Sequence, residues 1–284
     1  MIPLRSVLVA TDFTPGATLA LSRAARLPLG GRAVITVLHV LPERLGPAPA
    51  PRAVAAARHA LEEATRAVAG EVPRNRGITV RWALLRGNPV EGILRCGRRL
   101  KVDVVVLGRH GRRTFRELLL GSTVERVIRR ADRPILIVGT GRGPYRRPLV
   151  AVDVSPAARR VVDVTLRLAA PPERVLRVVH MCEMPYDGVL LRVTTARSVI
   201  AYRRECVASA RDRLARILAR TPLPITLTIR GGDPRRGILA VARRHGADLI
   251  ALGHGRPGLR HVMIGSVAEG VARAATCDVL VTRL

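Results

Sequence analysis

Short runs of β-branched and aliphatic residues alternate along the chain with longer stretches in which apolar residues recur every three or four positions. A brief apolar run bounded by turn formers reads as a buried strand, and a 3.6-residue period reads as an amphipathic helix. Strands are predicted near residues 6–10, 33–40, 78–85, 103–107 and 134–138, and again near 148–152, 174–181, 224–230, 248–252 and 278–282. Helices fall between them, the longest over about 192–220 with a polar face. Four helix starts carry a capping side chain directly before proline: Thr14-Pro15, Asn88-Pro89, Ser155-Pro156 and Asp233-Pro234. The side-chain oxygen accepts from amides that have no partner inside the helix, and proline at the first position has no amide to leave unpaired. The segment Pro47-Ala-Pro-Ala-Pro51 reads as a mobile loop.

The pattern repeats. Ser6-Val-Leu-Val-Ala-Thr-Asp12-Phe-Thr-Pro15 recurs as Arg147-Pro-Leu-Val-Ala-Val-Asp153-Val-Ser-Pro156, and Val37-Leu-His39-Val40 recurs as Val178-Val-His180-Met181. Leu85-Arg-Gly87-Asn88-Pro89 returns as Gly231-Gly232-Asp233-Pro234, Asp103–Gly108 as Asp248–Gly253, and Arg133–Val138 as Cys277–Thr282. Five matches in one order identify a tandem duplication. The Gly/Pro stretch Gly139-Thr-Gly-Arg-Gly-Pro144 reads as the linker, giving domains at residues 1–142 and 143–284. Strands alternating with helices, joined by right-handed crossovers, make each half a doubly wound sheet. The expected fold class is therefore α/β: two tandem doubly wound domains, each with a five-stranded parallel sheet.

Composition changes this picture little. The 284 residues are 48% hydrophobic, with no apolar run near the ~18 needed to span a bilayer. The N-terminus enters a strand without a signal-like segment, and Cys96, Cys182, Cys206 and Cys277 are widely spaced. That usage fits reduced thiols in a cytoplasmic protein, not a disulfide frame or a zinc site. The net charge of +28 would ordinarily point to nucleic acid. Yet Lys101 is the only lysine, the arginines are spread along the chain, and six scattered aromatics offer no stacking platform. Such an arginine bias matches codon composition better than a binding face, so no specific nucleic-acid partner is expected.

In doubly wound sheets ligands bind beyond the carboxyl ends of the strands. There the first half places Asp12, after its first strand, and Gly108-Arg109-His110-Gly111, after its fourth, continuing to Gly121-Ser122-Thr123. Glycines let backbone amides approach phosphate oxygens, and a helix N-terminus attracts anions. Val124, Val127, Ile128 and Ala131 predict a helix with a buried stripe, and Arg109, Arg112, Arg113 and Arg116 add positive potential. Plainer readings stand beside these. Ser122-x-x-Glu125 is a capping box, so Ser122 could simply cap its helix. Asp12 could be a turn residue, although Thr14 already supplies a cap and leaves Asp12 without an obvious structural task. His39 and His180, on apolar strands, read as satisfied core histidines, and His110 as a loop residue that matters through its backbone.

These segments together resemble the universal stress protein family. Its ATP-binding subgroup carries Gly-x2-Gly-x9-Gly-Ser/Thr, which Gly108-x2-Gly111-x9-Gly121-Ser122 matches throughout. Ala10-Thr11-Asp12, Leu38-His39-Val40 and Arg133-Pro-Ile-Leu-Ile-Val138 also match family segments, and the resemblance covers nearly the whole chain, twice. It implies an adenine nucleotide alpha hydrolase-like fold with ATP, accompanied by Mg2+, as the bound cofactor. Asp12 and Val40 would meet adenine and ribose beside Ala10 and Thr11. Gly108, Arg109, His110 and Gly111 would wrap the phosphates through their backbone, and Gly121, Ser122 and Thr123 would hold the terminal ones. The resemblance also implies a pseudo-dimer packed through 134–138 against 278–282, with a homodimer of tandem chains as a further step.

The second half departs from the motif. One residue separates Gly253 from Gly255, so the position of the second glycine falls on Arg256. Asp153, Met181, Gly253, His254, Gly255, Gly265, Ser266 and Val267 form either a second ATP site or a degenerate structural copy. No paired carboxylates, nucleophile–base pair, metal cluster or Gly-x4-Gly-Lys-Ser/Thr loop accompanies the glycines, so fast ATP hydrolysis is not expected. The leading expectation is an ATP-binding regulator of the stress response with at most slow hydrolysis. An adenylyl-transfer or ATP-pyrophosphatase-type enzyme is the alternative, marked by turnover above ~1 s⁻¹. A charge-driven nucleic-acid-binding accessory protein is the third, and its binding would vanish between about 50 and 200 mM salt.

Overall fold

A computed structural model describes residues 3–42, 51–109, 120–140, 143–169, 175–182, 195–255 and 266–284. The apolar runs become strands β1 (Leu4–Ala10), β2 (Leu29–Leu41), β3 (Thr79–Arg86), β4 (Val104–Gly108) and β5 (Ile135–Val138) in the first half. Their counterparts are β6 (Pro148–Ala151), β7 (Leu176–Cys182), β8 (Ile225–Gly231), β9 (Leu249–His254) and β10 (Asp278–Arg283). Between them lie α1 (Pro15–Ala25), α2 (Pro51–Glu71), α3 (Pro89–Arg99), α4 (Ser122–Arg130), α5 (Ala158–Leu168), α6 (Ala196–Leu218), α7 (Pro234–Arg244) and α8 (Ser266–Ala274). Residues 47–50 of the proline-rich loop fall outside the described residues, and Pro51 opens α2. No helix among the described residues is long and apolar enough to cross a membrane.

Three of the four proline-led caps form. Thr14 accepts from the Ala17 amide, Asn88 from those of Val90 and Glu91, and Asp233 from that of Arg236. Ser155-Pro156 does not cap. Ser155 donates its hydroxyl to the Asp153 carboxylate instead (2.7 Å), and α5 starts only at Ala158, behind Ala157, which has no capping oxygen.

The strand order is β3-β2-β1-β4-β5-β10-β9-β6-β7-β8. Every pair within a half is parallel, as crossover helices require. The halves meet antiparallel, with Val279 opposite Ile137, Leu280 opposite Leu136 and Val281 opposite Ile135. The two expected five-stranded sheets are thus one ten-stranded sheet, with a local two-fold relation centred on Leu136 and Leu280. Alternation along the strands sends Val7, Val9, Leu136 and Leu280 to the face covered by α1, α2, α5 and α6. Leu8, Val105, Ile137 and Val281 face α3, α4, α7 and α8. Both apolar layers run unbroken from one half into the other.

Polar contacts fix the junction. Asp278, wholly buried at the start of β10, accepts from Arg23 Nε of α1 (3.0 Å), Tyr145 Oη (2.7 Å) and the amides of Gly139 (2.9 Å) and Thr140 (3.0 Å). The Arg23 guanidinium lies 4.3 Å over the Tyr145 ring and donates to the Gly143 carbonyl. Burial first, and then the Asp278 charge, push the Tyr145 phenol well above its ordinary value, so it remains a donor. On the opposite face Arg129 of α4 meets Glu269 of α8 (3.0 Å), and Arg273 of α8 meets Glu125 of α4 (2.7 Å). Glu125, the glutamate of the expected capping box, and its counterpart Glu269 are therefore spent on this symmetric seam.

Candidate functional site

The turn from β1 to α1 is tightly tied. Thr11 donates its amide to Leu38 of β2 (2.8 Å), and its hydroxyl accepts from the Phe13 amide (3.0 Å). Asp12 Oδ1 accepts from both the amide (3.2 Å) and the hydroxyl (2.5 Å) of Thr14. Asp12 thus has the structural task that its sequence context did not reveal: it orients the residue that caps α1. These contacts all fall on Oδ1. Phe13 between them adopts a left-handed φ of 61°, which is costly for a bulky residue, and its ring lies 4.5 Å from that of His39. His39 donates from Nδ1 to the Thr11 carbonyl (2.7 Å), and His180 donates to that of Val152 (2.8 Å). Both histidines are satisfied at the core edge, as their apolar strands implied.

Sheet order puts β2, β1 and β4 side by side, so Val40, Ala10–Asp12 and Gly108–Arg109 meet at one end. Val40 is buried against α3, where a Cβ on Gly92 would come within 2.8 Å of its side chain. Gly108 has a steric reason of its own: a Cβ there would sit 2.4 Å from the Gly16 carbonyl oxygen in the first turn of α1. The Gly121 amide donates to the Arg109 carbonyl (3.0 Å), which ties the start of α4 to the end of β4. Gly121, not Ser122, occupies the N-cap, and Ser122 is the first helical residue. The capping-box reading of Ser122 therefore fails. The predicted stripe of Val124, Val127, Ile128 and Ala131 is buried.

Arg109 corrects another expectation. Its side chain is buried and crosses to the second half, donating to the carbonyls of Ala275 and of Cys277 (2.5 Å). Burial lowers the guanidinium below its usual range, opposed by Cys277 and Asp278, but arginine stays charged. His110, Gly111 and the arginines at 112, 113 and 116 lie outside the described residues.

In the second half Met181 repeats the role of Val40, packing on Gly237 of α7. Asp153 is exposed, Gly255 has a left-handed φ of 86°, and Val267 is half-buried on α8. Ser266 opens α8, while Gly265 and Arg256 fall outside the described residues. The side chain in the Arg109 position is His254, 2% exposed, with neither ring nitrogen partnered among the described residues. Burial, with Arg283 nearby, lowers its pKa to about 4. A Cβ on Gly253 would meet Leu284, where its counterpart Gly108 meets the first turn of α1. The two strand ends are therefore built differently.

Sequence reading missed Phe13, Gly92 and the long reach of Arg109. Only Gly92 left a signal, since Gly237 repeats it inside the equivalent helix of the second copy.

Comparison with known proteins places this geometry. The profile of the universal stress protein family matches residues 3–139 and again 144–283. A universal stress protein of Mycolicibacterium smegmatis is 27% identical over 297 residues, covering 98% of this chain and 96% of its own. One from Mycobacterium tuberculosis is 28% identical over 219 residues, 75% of this chain and 72% of its own. The crystal structure of a universal stress protein from Archaeoglobus fulgidus has a TM-score of 0.70 at 21% identity, covering 98% of this chain and 96% of that one, which speaks for the fold. With its profile matched twice and the ten-stranded sheet formed from both matches, the chain belongs to the universal stress protein family as a tandem of two such domains.

Proposed function

We propose that the first domain binds ATP at the carboxyl ends of β1, β2 and β4, and that the chain works as a nucleotide-responsive regulator in the stress response. One observation carries the reading: the N-cap of α4 is Gly121, held to the end of β4, and no side chain among the described residues caps the first amides of that helix. Thr14, Asn88, Thr195 and Asp233 cap α1, α3, α6 and α7 with their own oxygens. An uncapped helix start beside glycines suits a phosphate group, which would accept from those amides at the positive end of the helix dipole. Asp12, its Oδ1 held by Thr14, would accept from a ribose or adenine donor through Oδ2. ATP would bring Mg2+ with it, supplying charge neutralisation at the phosphates. The second domain, with His254 in place of Arg109 and a different packing at Gly253, is read as the weaker or silent site.

Denaturing the purified protein and identifying released nucleotide by chromatography tests this. One equivalent of ATP per chain is expected, lost in Gly121→Val. The N-cap backbone (φ −63°, ψ 138°) is one that valine accepts, so the variant would crowd the phosphate position without backbone strain. Two equivalents would overturn the reading of the second domain, and no bound nucleotide, with none taken up on titration, would overturn the proposal. Hydrolysis well below ~1 s⁻¹ is expected, and faster turnover would favour an enzyme.

A further inference from the structure

The four cysteines are not alike. Cys96 and Cys277 are buried in separate places, and burial together with Asp278 pushes the Cys277 thiol up to about 12. Cys182, the last residue of β7, points at the middle of α6. Its Sγ lies 3.6 Å from the carbonyl oxygen of Cys206, to which it donates. A residue's Cα is only about 2.4 Å from its own carbonyl oxygen, so the Cys206 Cα lies within about 6 Å of the Cys182 sulfur, inside the reach of a disulfide. Burial first, and then the neighbouring Cys206, raise the Cys182 thiol above its ordinary value. Cys182 is 7% exposed, while Cys206 is partly open to solvent. An accessible thiol backed by a buried one is the arrangement of an attacking and a resolving cysteine.

We propose that Cys182 and Cys206 form a redox-responsive dithiol, which a peroxide closes into a disulfide tying α6 to the end of β7. The Cys206 thiolate attacks a peroxide oxygen; an S–O bond forms, the O–O bond breaks, and the leaving oxygen departs as water or an alcohol after taking a proton. Cys182, as thiolate, then attacks the sulfenic sulfur; the S–S bond forms, the S–O bond breaks, and a second water leaves. Each sulfur loses one electron, and the peroxide gains two. A dithiol reductant reverses the change.

The place matters. Within α6 the buried residues are Val199, Ala210, Leu214 and Leu218, so the stretch around Cys206 has few apolar anchors. Met181, beside Cys182, belongs to the strand-end site of the second domain. A disulfide here would fasten the middle of α6 to the strand end next to that site, and this inference does not depend on whether ATP binds there.

The test is to treat the full chain with a small excess of hydrogen peroxide under native conditions, block remaining thiols, digest without reduction and analyse the peptides by mass spectrometry. A peptide joining Cys182 to Cys206 is expected, with Cys96 and Cys277 still reduced and the link lost on dithiothreitol. Amide exchange around residues 200–208 should slow several-fold after oxidation. In Cys182→Ser, Cys206 should accumulate as a sulfenic acid that dimedone traps. Intermolecular disulfides through Cys206, over-oxidation of Cys206 with Cys182 left reduced, or no loss of thiols in the wild-type chain would each overturn the proposal.

Discussion

Asp278 concentrates more of the fold's polar chemistry than any motif in the glycine loops. Its charge is compensated by Arg23, and its oxygens are shared among Tyr145, Gly139 and Thr140. Removing one partner of a buried ion pair strands the other, which typically costs about 3–5 kcal/mol. Asp278→Ala should therefore lower stability by that order in urea unfolding, whereas Asp278→Asn, whose amide oxygen still accepts from Gly139 and Thr140, should lose less. None of this could be read in the sequence, where Arg23 and Asp278 stand 255 residues apart. His254 gives a second residue-scale prediction. Above its unfolded value near 6.5 the ring is neutral folded or unfolded. As pH falls, the unfolded chain takes up the proton first, so stability declines between about 6.5 and about 4 and then levels off. The loss is on the order of 3 kcal/mol. Comparing urea midpoints of wild type and His254→Leu across pH 4–8 should show this slope only in the wild type; equal slopes would refute it.

At the scale of elements, the strands were legible because each is a β-branched run bounded by turn formers, and nearly every one falls within two residues of its expected place. β2 is the exception, starting at Leu29, because residues 30–33 form an irregular stretch with Arg32 left-handed. Caps were legible where a side-chain oxygen had nothing better to bind. Asn88→Ala should cost about 1 kcal/mol, while Ser155→Ala, at a cap that never formed, should cost far less; thermal melts of the two distinguish them. The Ser122-x-x-Glu125 box misled because Glu125 finds a stronger partner across the seam, in Arg273, which only the tertiary fold brings near. As a half-exposed pair this is worth little: a double-mutant cycle on Glu125 and Arg273 should give a coupling of roughly 1 kcal/mol or less, shrinking in salt.

At the scale of the molecule, the repeat in the sequence foretold two domains, and the family resemblance foretold which strands would meet. What stayed hidden was how unequal the copies are at their strand ends. Arg109 crosses to the partner half, whereas the ring of His254, its counterpart, has no hydrogen-bond partner among the described residues. The candidate site was legible in its glycines, Asp12 and Val40, but not in the work that Asp12 and Gly108 do for the fold itself. If the linker is dispensable for the pairing, separately produced halves ending and starting near residue 142 should co-elute one to one when mixed. Failure to associate would mean that the continuous backbone, with Gly143 and Tyr145 on Arg23 and Asp278, is what holds the sheet together.

The antiparallel contact of β5 with β10 has a consequence for how such a protein can change over generations. Two separate chains joined this way would come apart on dilution, and any substitution would appear on both sides of the axis. Joined in one chain, the partners meet at a fixed effective concentration whatever the amount of protein. Each half then inherits its own mutations. The arrangement lets the two strand ends diverge from one another, and ensures that every molecule carries one of each.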